Sequence, residues 1–233
     1  MANPNPQEPV RLHYTFGRFT RASHWIRVVL IVWLSVSGFY IANPFLTPDL
    51  RFDQLYIRSL HIAAGWFLLA ITLIRIYEFF FLKPGPKLGL GQEVSMGRIL
   101  FDWKAWRDQL AFYTLLRRDH PTYIYSNYGP LQYLAYIVLY LSLVVVILTG
   151  LILAAPYQSM GLAGWTGQLL KPLEVALGGL ANVRIYHHIA MWVLIVFTLI
   201  HVYMVAWYSI RGRSMVMEAM ISGYKVDDAQ PQK

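Results

Sequence analysis

Histidines carry most of the chemistry that this sequence offers. Five of its seven histidines lie in or beside long apolar stretches, and these are His24, His61, His187, His188 and His201. The other two, His13 and His120, lie outside those stretches. An ionisable group is costly to bury in hydrocarbon and usually marks a functional site there. A single such histidine is more often a hydrogen-bond partner between helices. The spacing of the five histidines decides between this structural role and a functional site.

The spacing of His187 and His201 places both on one side of a helix. They are 14 residues apart, which at ~100° per residue is within roughly 40° of a whole number of turns. At 1.5 Å per residue they are separated by about 21 Å along the axis. A single chelated metal ion cannot bridge that distance, whereas two cofactors at two depths can be bound. His188 points about 100° away from His187 and replaces it as the candidate if the register is shifted by one residue.

The elements that position these histidines are four apolar stretches, each long enough to cross a bilayer, which takes roughly 20 residues. They cover about residues 22–45, 57–81, 131–155 and 185–210. The chain is 57% hydrophobic and 14% charged, well below the charge of soluble domains. We therefore expect an all-α integral membrane four-helix bundle that forms a single domain over residues 1–233. The polar first 20 residues predict no cleavable signal peptide.

The distribution of positive charge predicts the topology. Of the 20 Lys and Arg residues, 16 lie before or just inside the first stretch, from the end of the second stretch to the start of the third, or after the fourth. The positive-inside rule then places both termini and the long middle segment in the cytoplasm. The net charge of +8 is thereby explained by topology rather than by nucleic-acid binding. The absence of Cys excludes thiolate-bound iron–sulfur clusters, covalent c-type haem and disulfides.

The alternating direction of the four spans pairs the histidines by depth. His61 and His187 are expected near the outer surface, and His24 and His201 near the inner surface. Two imidazoles from facing helices can supply both axial ligands of a b-type haem. The sequence therefore predicts two haems b, one per pair, as a transmembrane path for electrons. The competing interpretation is four unrelated structural histidines.

Several other features fit this prediction but have a second explanation. Gly38, Gly65 and Gly150 would let a flat macrocycle approach the backbone, or would simply let helices pack closely. Five arginines could contact haem propionates, or could place their charge at the membrane surface. They are Arg58 and Arg184 for the outer haem and Arg21, Arg27 and Arg75 for the inner one.

Two segments outside the spans are predicted to be partly helical. Met96–Arg118 has apolar residues at helical spacing with basic residues between them, and these are Ile99, Trp103, Trp106, Leu110 and Tyr113. We expect an amphipathic cytoplasmic helix that lies on the inner membrane surface or packs against a partner subunit. The Gly-rich segment 156–183 is expected outside the membrane, with a short helix.

The chain resembles the cytochrome b subunits of membrane-bound nickel–iron uptake hydrogenases, over nearly its whole length. The motifs that carry the resemblance are RASHW (21–25), YIRSLH (56–61), LIRIY (73–77), HHIAMW (187–192), HVYM (201–204) and MISGYK (220–225). Ala190 stands where the family usually has Gly, and SNYGP (126–130) replaces the usual Gly-His-Asn-Pro. The histidine motifs are shared with other di-haem cytochromes, so the equivalent subunit of a formate dehydrogenase or thiosulfate reductase type complex is an alternative.

The resemblance implies a function in the bacterial cytoplasmic membrane. The nickel–iron large subunit and the iron–sulfur small subunit would lie on the periplasmic face, in a multimer of heterotrimers. Electrons from hydrogen would reach menaquinone or ubiquinone, and this chain would have no catalytic residues of its own for hydrogen splitting. The quinone-site candidates are His13, Tyr14, Arg75, Tyr77 and Glu78. A histidine-dependent transporter or proton channel is an alternative from another class, but the spans lack the broken helices and repeats of transporters.

Overall fold

A computed structural model of the chain describes residues 12–14, 16–43, 51–81, 99–118, 121, 129–158, 160–211 and 216–226. The helices in these ranges are α1 Arg18–Ala42, α2 Arg51–Phe81, α3 Trp103–Tyr113, α4 Pro130–Ala154, α5 Gly161–Leu169, α6 Lys171–Ala176, α7 Leu180–Arg211 and α8 Val216–Ser222. The strands are β1 Leu12–Tyr14 and β2 Tyr224–Val226. The chain divides into two compact units, of which the first comprises Met1–His24, Gly85–Pro130 and His201–Lys233, and the second Trp25–Pro84 and Leu131–Ile200.

Four helices are long and apolar enough to cross a membrane, which confirms the four predicted spans. The candidate spans are Arg18–Ala42, Gln54–Tyr77, Pro130–Ala154 and Leu180–Arg211. Their ends differ by a few residues from the apolar stretches, because a helix continues through polar residues until a local signal ends it. Pro130 begins α4 at a position where a missing N–H costs nothing. Gly178 and Gly179, with φ of +87° and +89°, separate α6 from α7.

The four long helices meet around a small core in the second unit. Leu68 of α2, Leu143 of α4 and Leu194 of α7 are buried against one another, and α1 adds Leu30, Ile31 and Leu34 at the edge of this cluster. Only 11–28% of each span's most apolar window is buried. The remaining apolar side chains point outward, as expected of a bundle whose surroundings are hydrocarbon rather than water.

The helix predicted over Met96–Arg118 is interrupted in the structure. Asp102 caps the N-terminus of α3, where its carboxylate accepts a hydrogen bond from the backbone N–H of Ala105 at 3.1 Å. An aspartate in this position satisfies a donor that has no partner within the helix, so α3 starts at Trp103. Its buried residues are Ala105, Gln109 and Phe112, whereas Trp103 is 81% exposed. The buried face therefore differs from the predicted apolar stripe.

The C-terminal end of α3 is bonded to α7 within the first unit. The Tyr203 hydroxyl donates to the Tyr113 carbonyl at 2.6 Å, and the Trp207 indole N–H donates to the Phe112 carbonyl at 3.0 Å. Carbonyls in the last turn of a helix have no partner within it. These two side chains supply partners and so attach α3 to α7.

The helical fold is accompanied by a short antiparallel ribbon that the sequence did not predict. Leu12 pairs with Val226, His13 with Lys225, and Tyr14 with Tyr224. Two runs of three residues are too short for an alternating pattern to reveal them in the sequence. Arg21 of α1 donates a hydrogen bond to the Ile221 carbonyl at the end of α8, and this bond helps to hold the ribbon against α1. The Gly-rich segment 156–183 contains two short helices, α5 and α6, rather than the one that was predicted.

Candidate functional site

The structure brings together both histidine pairs predicted from the sequence. In the second unit, His61 of α2 and His187 of α7 lie with their ring centroids 6.5 Å apart and their planes inclined at 67°. In the first unit, His24 of α1 and His201 of α7 lie with centroids 6.4 Å apart and planes inclined at 52°. The two pairs thus have nearly the same separation, although they belong to different helix combinations.

This separation fits one metal ion between two imidazoles. With two metal–nitrogen bonds of about 2.0–2.1 Å in line, the ring centroids would lie about 6.3–6.5 Å apart. Two imidazoles joined by a hydrogen bond would lie closer together, whereas an edge-on ring contact can have a centroid distance in this same range. Among the described residues, no group of three or more His, Asp or Glu side chains could hold a metal ion. The two facing imidazole pairs are thus the candidate metal donors among the described residues.

Two hydroxyl groups contact the first pair at the nitrogens that would face away from a metal. Ser37 Oγ of α1 lies 2.8 Å from Nδ1 of His61. Thr149 Oγ1 of α4 lies 2.9 Å from Nδ1 of His187. Both hydroxyl residues are 3% exposed, so no water competes for these contacts. Each ring is consequently held by a helix other than its own.

Glycines beside these hydroxyl residues let the backbone approach the same rings. A Cβ added at Gly38 would lie 3.4 Å from Cε1 of His61, and one at Gly150 would lie 3.3 Å from Cε1 of His187. Gly65 differs, since a Cβ there would meet no atom within 4 Å. Two of the three glycines noted in the sequence therefore have a specific contact with a candidate ligand.

The second pair, His24 and His201, is the more exposed of the two. His24 is partly buried and His201 is exposed. Arg21, one turn before His24, is bonded to the Ile221 carbonyl. That bond gives Arg21 a structural role in attaching α8, beside its predicted role at a propionate.

The other propionate candidates have different environments. The guanidinium carbon of Arg58 lies 4.5 Å from the ring centroid of Tyr157, and its buried Nε has no hydrogen-bond partner in the part of the chain that the structure describes. A buried guanidinium N–H without an acceptor indicates room for an anionic group beside it. Arg184 is exposed, whereas Arg27 and Arg75 are partly buried and interact with other groups. Arg21 likewise has a buried Nε with no hydrogen-bond partner among the described residues, so Arg58 and Arg21 each have an N–H that an anionic group would satisfy.

The predicted quinone residues belong to both compact units, Tyr14 to the first and Arg75 and Tyr77 to the second. Tyr14 packs edge-on against Tyr224, with ring centroids 5.3 Å apart. The His13 and Glu78 side chains lie outside the described residues. Arg75 and Tyr77 belong to α2 in the second unit, and Tyr77 is 56% exposed.

Sequence reasoning missed Ser37 and Thr149. Hydroxyl residues are common in membrane helices, where they bond to their own backbone, so neither stands out by type. The available signal was their position, because each immediately precedes a glycine that had been noted, in the dipeptides Ser37-Gly38 and Thr149-Gly150.

Comparison with known proteins identifies a family that matches most of the chain. The family model described as prokaryotic cytochrome b561 matches residues 15–223. A probable Ni/Fe-hydrogenase B-type cytochrome subunit of Azotobacter chroococcum is 30% identical over 94% of this chain and 92% of its own length. The subunit of that name from Rhizobium leguminosarum is 27% identical over 91% of this chain and 88% of its own. A probable Ni/Fe-hydrogenase 1 B-type cytochrome subunit of Escherichia coli K12 is 25% identical over 91% and 90%.

Proposed function

Because the chain belongs to the prokaryotic cytochrome b561 family, we propose that it is the membrane electron-transfer subunit of a nickel–iron hydrogenase. In this proposal two b-type haems link a periplasmic hydrogenase to a quinone in the bacterial cytoplasmic membrane. The chain completes a hydrogen:quinone oxidoreductase but does not itself split hydrogen. The names of its relatives, B-type cytochrome subunits of Ni/Fe hydrogenases, support the choice of partner.

The observation that carries the proposal is the presence of two facing histidine pairs with ring centroids 6.5 and 6.4 Å apart. His61 and His187 would hold one haem iron, and His24 and His201 the other. A bis-imidazole haem, when bound, supplies reversible one-electron transfer. His187 and His201 lie on one continuous helix, α7, so a single helix contributes one ligand to each site.

The protein's own part is to position these ligands and to balance charge. Helices α1, α2, α4 and α7 pack around Leu68, Leu143 and Leu194, and this packing fixes the backbone positions of the ligands on α2 and α7. Arg58 lies one turn before His61, with a buried N–H that lacks an acceptor, and would meet a propionate there. A guanidinium pairs well with a carboxylate in such a partly buried setting.

The topology predicted from the charges determines which partner each site meets. His61 and His187 would face the iron–sulfur subunit at the periplasmic surface, as the entry point for electrons. His24 and His201 would lie near the cytoplasmic surface, where the quinone would be reduced. The candidate residues for binding the quinone remain His13, Tyr14, Arg75, Tyr77 and Glu78. Menaquinone and ubiquinone both fit this proposal.

The test is the number of haems per chain in the purified, detergent-solubilised protein, measured by pyridine haemochrome. We expect two haems b in the native protein. His61→Ala and His24→Ala should each leave one, and the double variant none. One haem in the native protein would show that one pair is not a ligand pair. A folded protein without haem would overturn the proposal and favour a histidine-dependent transporter or proton channel.

The partner is tested by affinity purification from native membranes under mild detergent. Recovery of nickel–iron hydrogenase subunits, together with hydrogen-dependent reduction of the chain's haems, is the expected result. Recovery of formate dehydrogenase or thiosulfate reductase subunits instead would keep the cytochrome function and replace the partner.

A further inference from the structure

We propose that Ser37 and Thr149 are positioning residues that hold His61 and His187 in the tautomer protonated at Nδ1, which leaves Nε2 free to bind iron. The inference rests on the proposed haem-binding function and adds to it two residues on helices that supply no ligand to this haem. It depends on hydrogen-bond geometry that is the same at both histidines.

The Ser37 hydroxyl has one proton and three neighbouring groups that could accept it, the most distant being the Leu34 carbonyl at 3.3 Å. Its oxygen lies 2.7 Å from the Trp33 carbonyl and 2.8 Å from Nδ1 of His61. A carbonyl oxygen can only accept, so the hydroxyl must donate to Trp33 if that contact is a hydrogen bond. The same oxygen can then only accept from His61, which requires a proton on Nδ1. In the other tautomer, two oxygens would face each other at 2.7 Å without a proton between them.

Thr149 repeats this arrangement on a different helix. Its hydroxyl oxygen lies 2.6 Å from the Val145 carbonyl and 2.9 Å from Nδ1 of His187. By the same argument, the Thr149 hydroxyl donates its proton to the Val145 carbonyl, and Nδ1 of His187 must carry a proton of its own. The neutral imidazole then has its lone pair on Nε2, which is the atom available to a metal.

The glycine that follows each hydroxyl residue supports the same assignment. The backbone at Gly38 and at Gly150 approaches Cε1 of the same ring that the preceding hydroxyl contacts. Cε1 lies between the two ring nitrogens, so each Ser/Thr-Gly dipeptide covers one edge of an imidazole and restricts its rotation. A dipeptide on α1 serves His61, and one on α4 serves His187.

A second consequence concerns the reduction potential of the haem. A hydrogen bond from Nδ1–H to an acceptor raises the basicity of a ligating imidazole. A more basic ligand favours the oxidised iron, so these bonds should lower the midpoint potential of the haem at His61 and His187. Loss of either hydroxyl should therefore raise that potential.

The experiment is a spectroelectrochemical titration of the two haems in Ser37→Ala and Thr149→Val, in the full detergent-solubilised chain. The matched controls are Ser35→Ala and Thr72→Val. Ser35 and Thr72 make the same bond to the carbonyl four residues earlier, at 2.8 and 2.6 Å. Their substitutions remove the same atoms as the test variants do. We expect each test variant to raise the reduced-to-oxidised ratio of one haem about three- to tenfold at fixed potential, a tenfold change being 59 mV for one electron. The controls should leave both haems at their native potentials.

Conservative replacements keep the test decisive if a variant loses haem. Ser37→Thr and Thr149→Ser retain the hydroxyl and should restore two haems with potentials near the native values. Unchanged potentials in Ser37→Ala and Thr149→Val, with both haems present, would overturn the inference while leaving the proposed function intact. Failure of the hydroxyl-retaining variants to restore the haem would also overturn it. Absence of haem from the native chain would instead refute the proposed function itself.

Discussion

The backbone of Gly150 approaches the ring of His187 so closely that a Cβ on this glycine would lie 3.3 Å from Cε1. That distance is tighter than most contacts made by a Cβ, so even a methyl group requires the ring to move by a few tenths of an ångström. Alanine in place of glycine in a helix interior would raise the stability of the helix by about 1 kcal/mol, yet the chain has glycine here. The contact explains that choice.

Gly150→Leu should therefore abolish haem binding at His61 and His187 while leaving haem binding at His24 and His201 intact. A leucine side chain cannot fit beside His187 without displacing the imidazole from its position opposite His61. Haem content by pyridine haemochrome should fall from two to one. Gly65→Ala is the control for chain packing, since its Cβ meets no protein atom within 4 Å, and its thermal stability should not fall. Two haems in Gly150→Leu would contradict the placement of this ligand.

His188→Ala should retain both haems. The structure turns the ring of His187 toward His61 and Thr149, and His188 lies about 100° further around the same helix. The measurement is haem content together with the reduced-minus-oxidised spectrum, compared side by side with His187→Ala. If His188→Ala lost one haem and His187→Ala kept two, the ligand would have to be reassigned to His188.

Gly223→Ala should release the C-terminal ribbon. Gly223 has a φ of +94°, and its Cβ would lie 2.9 Å from the Phe16 carbonyl oxygen. A left-handed backbone costs a non-glycine residue about 1–2 kcal/mol, and the clash adds to this cost. Amide hydrogen exchange over residues 216–226 should accelerate by at least tenfold, since about 1.4 kcal/mol corresponds to a factor of ten.

Gly179→Ala is the matched control for that variant. Gly179 has a φ of +89°, but its Cβ would meet nothing within 4 Å. Gly179→Ala should lose only the free energy that its left-handed backbone costs. The amide protection of residues 216–226 should stay at its native level. Equal protection of the ribbon in Gly223→Ala and the native chain would show that this glycine does not hold the segment.

The Tyr113→Phe variant should lose less stability at high pH than the native protein does. Burial, with a smaller contribution from Tyr208, raises the pKa of Tyr113 from 10.0 to about 12. Between these values the folded state keeps the phenol proton while the unfolded state loses it, so stability falls as pH rises through this window. The free energy of unfolding, measured from pH 9 to 12, should fall less steeply in Tyr113→Phe. Tyr224→Phe, which changes an exposed tyrosine (45%) outside the membrane helices, is the control, and identical slopes in all three proteins would contradict the prediction.

Local patterns were enough to predict the four membrane helices. Apolar length and the positions of Lys and Arg do not depend on which segments meet in space. The 14-residue interval between His187 and His201 follows from helix periodicity alone. The pairing of His61 with His187, and of His24 with His201, followed from the order in which the spans cross the membrane. The structure brings both pairs together, and their role as haem ligands stays a prediction.

The features that local patterns could not predict depend on contacts between distant residues. Strands β1 and β2 form only because Leu12–Tyr14 meets Tyr224–Val226 across almost the whole chain. The break before α3 depends on whether one carboxylate, that of Asp102, turns back to cap a helix. An apolar stripe with uniform helical spacing does not contain that information.

The sequence by itself determined that imidazoles lie on long apolar helices and how far apart they are along each helix, since helix geometry relates residue number directly to height and direction. Only the tertiary structure decided how each ring is held. Ser37 and His61 lie on different helices, as do Thr149 and His187. A hydrogen bond of 2.8–2.9 Å between such residues depends on how the helices are rotated and spaced, and packing of the core around Leu68, Leu143 and Leu194 sets both quantities.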